Sequence, residues 1–159
     1  MQAGRRIFGV VALVSYLVMG AMMYFTVMPG TNGAWPPDFH LRGYGMAEIE
    51  PFLAAISDEA RATYGAILLF WDRVFIVAFA IWMTLTGWCG GWLRFVVAVL
   101  ALLYCVIDLA ENVAIYRIIA GFWSDPALVS AASSLTMAKF ASLYLCGLVL
   151  VWHKRRMRA

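Results

Sequence analysis

Four long apolar runs constrain what this chain can become. They cover residues 7–28, 65–87, 95–120 and 128–152. About 20 apolar residues in helical conformation cross the ~30 Å hydrocarbon core of a bilayer. Each run is long enough. Composition agrees, because 64% of the 159 residues are hydrophobic and 13% are charged. A soluble domain is nearer half apolar and a quarter charged. The expected fold is therefore all-α: an integral membrane four-helix bundle, forming a single transmembrane domain over residues 1–159. The first run follows Arg5 and Arg6, as a signal peptide would. It exceeds the usual ~7–15-residue apolar region, and no small-x-small site precedes Pro29, so a retained helix is expected.

Basic residues set the orientation. Arg5 and Arg6 precede the first span, Arg94 lies in the turn after the second, and Lys154, Arg155, Arg156 and Arg158 follow the last. In a four-span chain these places share one side, so both termini are expected in the cytoplasm. The expected location is the bacterial inner (plasma) membrane. The net charge of +3 then reports orientation. The C-terminal basic cluster is short and juxtamembrane, which suits anionic lipid rather than nucleic acid. Trp88, Trp92 and Trp152 fall at inner helix ends, and Trp35, Tyr64 and Trp123 at outer ends, as interfacial belts require. Cys89, Cys105 and Cys146 form no C-x-x-C pair, which argues against disulfide exchange.

The first span repeats Tyr16, Gly20 and Tyr24 at i, i+4 spacing, and Gly20 is expected to admit a closely packed neighbour. Pro29-Gly30 ends it. A Gly- and Pro-rich loop follows, holding a His40 that is expected to be solvated. Residues 46–56 predict a short periplasmic amphipathic helix between spans one and two, with Met46, Ile49, Leu53 and Ile56 on one face. Ser57 reads as the N-cap of the second spanning helix, with Asp58 and Glu59 in its first turn.

Polar residues inside the apolar runs carry the functional signal. In the third span Asp108, Glu111 and Asn112 share a helix face, with Tyr104 one turn earlier. An ionised Asp at mid-membrane costs on the order of 3 kcal/mol. The second span adds Asp72, on a face with Leu68, Phe75, Ile76 and Phe79. The fourth adds Lys139, among Ser130, Ser133, Ser134, Ala138, Ala141 and Ser142. At ~1.5 Å per residue, Asp72 lies roughly 10 Å from the outer helix end, Glu111 and Asn112 roughly 13 Å, and Asp108 and Lys139 roughly 18 Å. Three helices thus bring polar groups to one layer. Three carboxyls against one lysine leave an excess of negative charge. Either Arg73 or Arg117 turns inward, a carboxyl keeps its proton, or a cation fills the gap. Glu111 is the expected proton carrier, being nearer the outer surface. Lys139 is expected to pair with Asp108 or Asp72. Arg73, Tyr104 and Tyr116 are secondary candidates.

Asp72-x-x-Phe75, Asp108-Leu-x-Glu111-Asn112 and the intramembrane Lys139 resemble a widespread group of small four-span bacterial membrane proteins without assigned activity. The Gly43-Tyr44-Gly45 turn and Arg61-x-x-Tyr64 look similar too. Ile76 departs from the group, which commonly has proline there. The resemblance implies the fold and the residue set, and brings no reaction with it.

No histidine lies in the apolar runs to bind haem, and no H-E-x-x-H, G-x-S-x-G or P-loop pattern is present. No metal site and no cofactor are expected. Three functions remain open. The cluster of Asp72, Asp108, Glu111, Asn112 and Lys139 binds a proton, a cation or a small amphiphile. Alternatively, the chain is an accessory or assembly subunit of a larger membrane complex and the polar layer is structural. The third reading is a lipid- or isoprenoid-processing enzyme using a buried carboxyl. The expected partners are the lipid bilayer and, in the subunit reading, another membrane protein or a second copy. A sealed, fully paired layer favours the subunit. A cavity open laterally or outward favours a ligand.

Overall fold

The computed structural model describes residues 1–157, apart from the side chain of Trp123. Arg158 of the basic C-terminal cluster lies outside the described residues. Among these the regular structure is all helical, with no strand. Four helices are long and apolar enough to cross a membrane: α1 (Gln2–Val27), α3 (Asp58–Gly87), α4 (Leu93–Ile119) and α5 (Pro126–Arg156). The short α2 (Met46–Ala55) stands between the first two.

Local chemistry sets the helix ends. Ser57 Oγ accepts from the Ala60 N–H at 3.2 Å. That N-cap relieves one of the unpaired donors of α3, and Asp58 and Glu59 complement the positive end of its dipole. Asp125 does the same for α5, accepting from the Ala127 N–H at 2.9 Å, with Pro126 in the first turn. Helix α4 stops before Gly121, whose φ of 108° favours a residue without Cβ. The Arg61 guanidinium donates to the Ile119 carbonyl there and covers the negative end of the helix.

Helix α4 packs along both α5 and α3, whereas α1 packs along α3 alone. The spatial order is α1, α3, α4, α5, and the four do not close into a ring. Two apolar cores form. One joins Ile49, Phe52, Tyr64, Leu68, Ile115 and Ile118. The other joins Ile76, Met83, Val97, Ala101, Tyr104 and Cys146 toward the opposite end. Along each helix the polar layer falls between them. In α2, Ile49 and Ile56 are buried as expected, while Met46 and Leu53 are half-buried and Phe52 is an additional core residue.

Two expectations are corrected. Gly20 is no packing contact, since a Cβ built there meets nothing within 4 Å. Its neighbours Tyr16 and Tyr24 are exposed too, so this stripe of α1 faces open space. Tyr64 is no belt residue: it is fully buried, and its hydroxyl donates to Asp38 Oδ1 at 2.6 Å. Ending a turn of α3 that packs on α2 and α4, it meets protein where a belt residue would meet headgroups.

Candidate functional site

Asp72 follows a π-helical turn, Ile67–Trp71, within α3. Such turns insert one residue into an α-helix and recur at functional sites. Asn112 Nδ2 on α4 donates to Asp72 Oδ2 at 2.9 Å. The adjacent Glu111, and Asp108 one turn before Asn112, meet Lys139 of α5. Lys139 Nζ lies 2.6 Å from Glu111 Oε2 and 3.5 Å from Asp108 Oδ1. Asp108, Glu111, Asn112 and Lys139 are all buried, Glu111 completely. The three helices therefore bring together the five residues that the sequence singled out.

Thr136, one turn before Lys139, completes the arrangement. Its hydroxyl reaches both Glu111 Oε1 and the Ala132 carbonyl. It has one proton for two acceptors. When that proton goes to Ala132, a proton held by Glu111 makes the second bond. The pair can thus accept a proton without losing a hydrogen bond. Thr136 carries no charge and so stood out little, although its i, i+3 spacing from Lys139 placed it on the same face.

The loop before α2 folds onto this layer. The Tyr44 N–H donates to Ser133 Oγ of α5 at 2.8 Å, and Asp38 is held by Tyr64. Burial pushes the Tyr44 phenol above its ordinary range, and the negative charge of Glu111 adds to the effect. Among the described residues its hydroxyl oxygen is buried without a hydrogen-bond partner, as is His40 Nε2. The expectation of a solvated His40 is corrected accordingly: the ring is half-buried beside Tyr44, because the loop lies on the helices.

A cavity of about 1060 Å³ opens between α1 and α5. Asp72, Asp108, Lys139 and Tyr104 form its polar wall. Tyr16, Met19, Gly20, Met23 and Tyr24 of α1 face them, and Trp35, Asp38 and Leu41 of the loop lie across one end. Among the long helices α1 packs along α3 and not along α5, which leaves the cavity between α1 and α5.

The remaining candidates separate. Neither Arg73 nor Arg117 forms an ion pair among the described residues, and Arg117 lies over the Phe122 ring. Both therefore leave the charge excess uncorrected. Tyr116 is exposed and packs beside Gly65, away from the cluster. Tyr104 is buried edge-on to Phe79. Lys139 pairs with Glu111 and Asp108 and not with Asp72, whose partner is Asn112. Glu111 lies behind the cavity wall, so the expected water access through its outer position is not present. Asp38, Asp72, Asp108 and Lys139 are the charged groups that line the cavity. Among the described residues no group of three or more His, Cys, Asp or Glu side chains is arranged to hold a metal. Comparison with family models, curated proteins and solved structures finds no match to the chain.

Proposed function

We propose that this chain is a multi-pass protein of the bacterial inner membrane, with both termini cytoplasmic and α2 on the periplasmic side. In this reading the cavity binds a small amphiphile that enters sideways from the lipid. Its head is cationic or rich in hydrogen-bond donors and rests on Asp72 and Asp108. Its apolar part lies among Met19, Met23, Phe75 and Phe140. The observation that supports this most is the placement of Asp72. It lines a cavity of about 1060 Å³, and its one hydrogen-bond partner among the described residues is the neutral amide of Asn112. Lys139 is already engaged by two carboxylates. A layer serving only to hold helices together gains nothing from leaving a carboxylate facing such a space. The volume lies near the upper end of small-molecule sites, ~300–1,000 Å³.

Displacement binding with an alkylammonium and an alkyl sulfate of equal chain length tests the reading in mild detergent. The alkylammonium should bind more tightly, and Asp72→Asn should weaken it by about tenfold while helicity is kept. Equal binding of the two heads, or an unaffected Asp72→Asn, would favour the structural layer instead.

A further inference from the structure

Below the polar layer the same open side of the molecule continues as a second groove of about 730 Å³. Its back wall is an aromatic stack, Phe75 on Phe79 at 5.3 Å and Phe79 on Trp82 at 5.5 Å. Gly9, Leu13 and Tyr16 of α1 face the stack, and Arg5 and Arg6 stand at the far mouth. At Gly9 the two helices approach so closely that a Cβ would lie 2.9 Å from the Trp82 ring. Tyr16 and Phe75, 5.8 Å apart, line both cavities and mark where they meet.

Charge singles out what this groove takes. All 9 Asp and Glu residues lie in the polar layer or beyond it toward the α2 end. None is near Arg5 or Arg6, and neither arginine forms an ion pair among the described residues. Among the described residues no carboxylate stands at that mouth to pair with them. Ten residues separate Arg6 from Tyr16, which is roughly 15 Å of helix and matches one leaflet of a ~30 Å hydrocarbon core. We propose that this groove is a site for an anionic phospholipid of the inner leaflet. The phosphate rests on Arg5 and Arg6, and one acyl chain lies along Phe79 and Trp82 and ends at Tyr16–Phe75. The lipid then forms the floor of the upper cavity. The inference rests on the membrane orientation proposed above, and not on the amphiphile.

Native mass spectrometry tests it, on protein released from mixed phosphatidylcholine and phosphatidylglycerol vesicles. Wild type should retain phosphatidylglycerol in preference. Arg5→Gln with Arg6→Gln should weaken phosphatidylglycerol retention by about thirtyfold, the scale for two basic groups at an anionic surface. Leu13→Trp, or Val10→Trp should the first fail to fold, should displace the chain and lower retention with both arginines present. Lys154→Gln with Arg155→Gln, at the same end but off the groove, should leave retention unchanged. Equal loss from that C-terminal pair, full retention by the tryptophan variants, or no preference in wild type would each overturn the site. A chain that fails to enter the vesicles would instead overturn the membrane reading, and alkylammonium binding by the wild type reports the upper cavity separately.

Discussion

Lys139 is the residue on which the polar layer depends. It pairs with two carboxylates that neither Arg73 nor Arg117 reaches, and offsets one of their two charges. Removing one partner of a buried pair strands a charge and costs ~3–5 kcal/mol. Lys139→Met should therefore lower thermal stability in detergent strongly. Adding Glu111→Gln should recover more than adding Asp108→Asn, because Glu111 is at 2.6 Å and Asp108 at 3.5 Å. Equal recovery would mean that the lysine is shared evenly. Tyr44 gives a second test, in pH. Burial raises its phenol pKa in the folded state, so folding favours the protonated form. That stabilisation is complete below the unfolded value of ~10 and is lost as pH rises through the higher folded value. Tyr44→Phe should reduce the alkaline loss of stability and leave neutral stability unchanged or slightly raised, since the hydroxyl has no partner. An unchanged alkaline melting profile would place the titration elsewhere. The charged members of this site were legible because Asp, Glu and Lys are costly inside an apolar helix. Their pairing was not, because one helical turn separates Asp108 from Asn112 and side-chain reach decides between them. Asp38 and Tyr44 come from a loop, where no periodicity indicates direction.

Among the elements, the helix ends were the most legible. Ser57 caps α3 as expected, by side-chain chemistry that is local in sequence, and Asp125 caps α5 by the same chemistry although the sequence reading did not single it out. The π turn at Ile67–Trp71 was not legible, because its residues are as apolar as any α-helical stretch around them. Its position directly before Asp72 suggests what it does. An inserted residue widens the helix and shifts the backbone that carries the carboxylate. Deleting Leu69, which is exposed, should let the segment return to α-helix with both flanking faces kept. Helicity and melting temperature should hold or rise, while alkylammonium affinity falls by about tenfold, since local irregularity at a site is often retained at a cost in stability. A deletion that melts the protein and keeps binding would make the turn structural. The N-terminal end of the same helix shows the opposite demand on backbone. The Ser57 N–H donates to the Gly30 carbonyl at 2.8 Å, and a Cβ on Gly30 would lie 2.4 Å from Ala60 Cβ. Glycine there is required by close approach.

At the scale of the whole molecule the decisive feature is that the four long helices form an arc. Hydropathy gave their number and approximate limits, but apolar residues facing lipid and apolar residues facing protein look alike in a sequence. Nothing in the α1 stripe of Tyr16, Gly20 and Tyr24 distinguishes a packed seam from the wall of a cavity. The structure makes the distinction through two glycines. Gly30 has no room for a methyl group, whereas a Cβ on Gly20 meets nothing within 4 Å, and Gly20 lines the cavity that holds Asp72 and Lys139. Gly20→Leu should therefore fit without strain. It also replaces the poorest helix former after proline, worth up to ~1 kcal/mol in a helix interior, so stability should hold or rise. The new side chain occupies part of the space opposite the polar wall. Alkylammonium binding should fall by about tenfold or more, although every charged residue is unchanged. Gly30→Ala should do the reverse, lowering the melting temperature with little effect on affinity in the folded fraction. If Gly20→Leu lowers stability as Gly30→Ala does, α1 packs against another helix or another chain at that stripe. If it leaves both stability and binding untouched, the ligand does not lie between α1 and the polar wall.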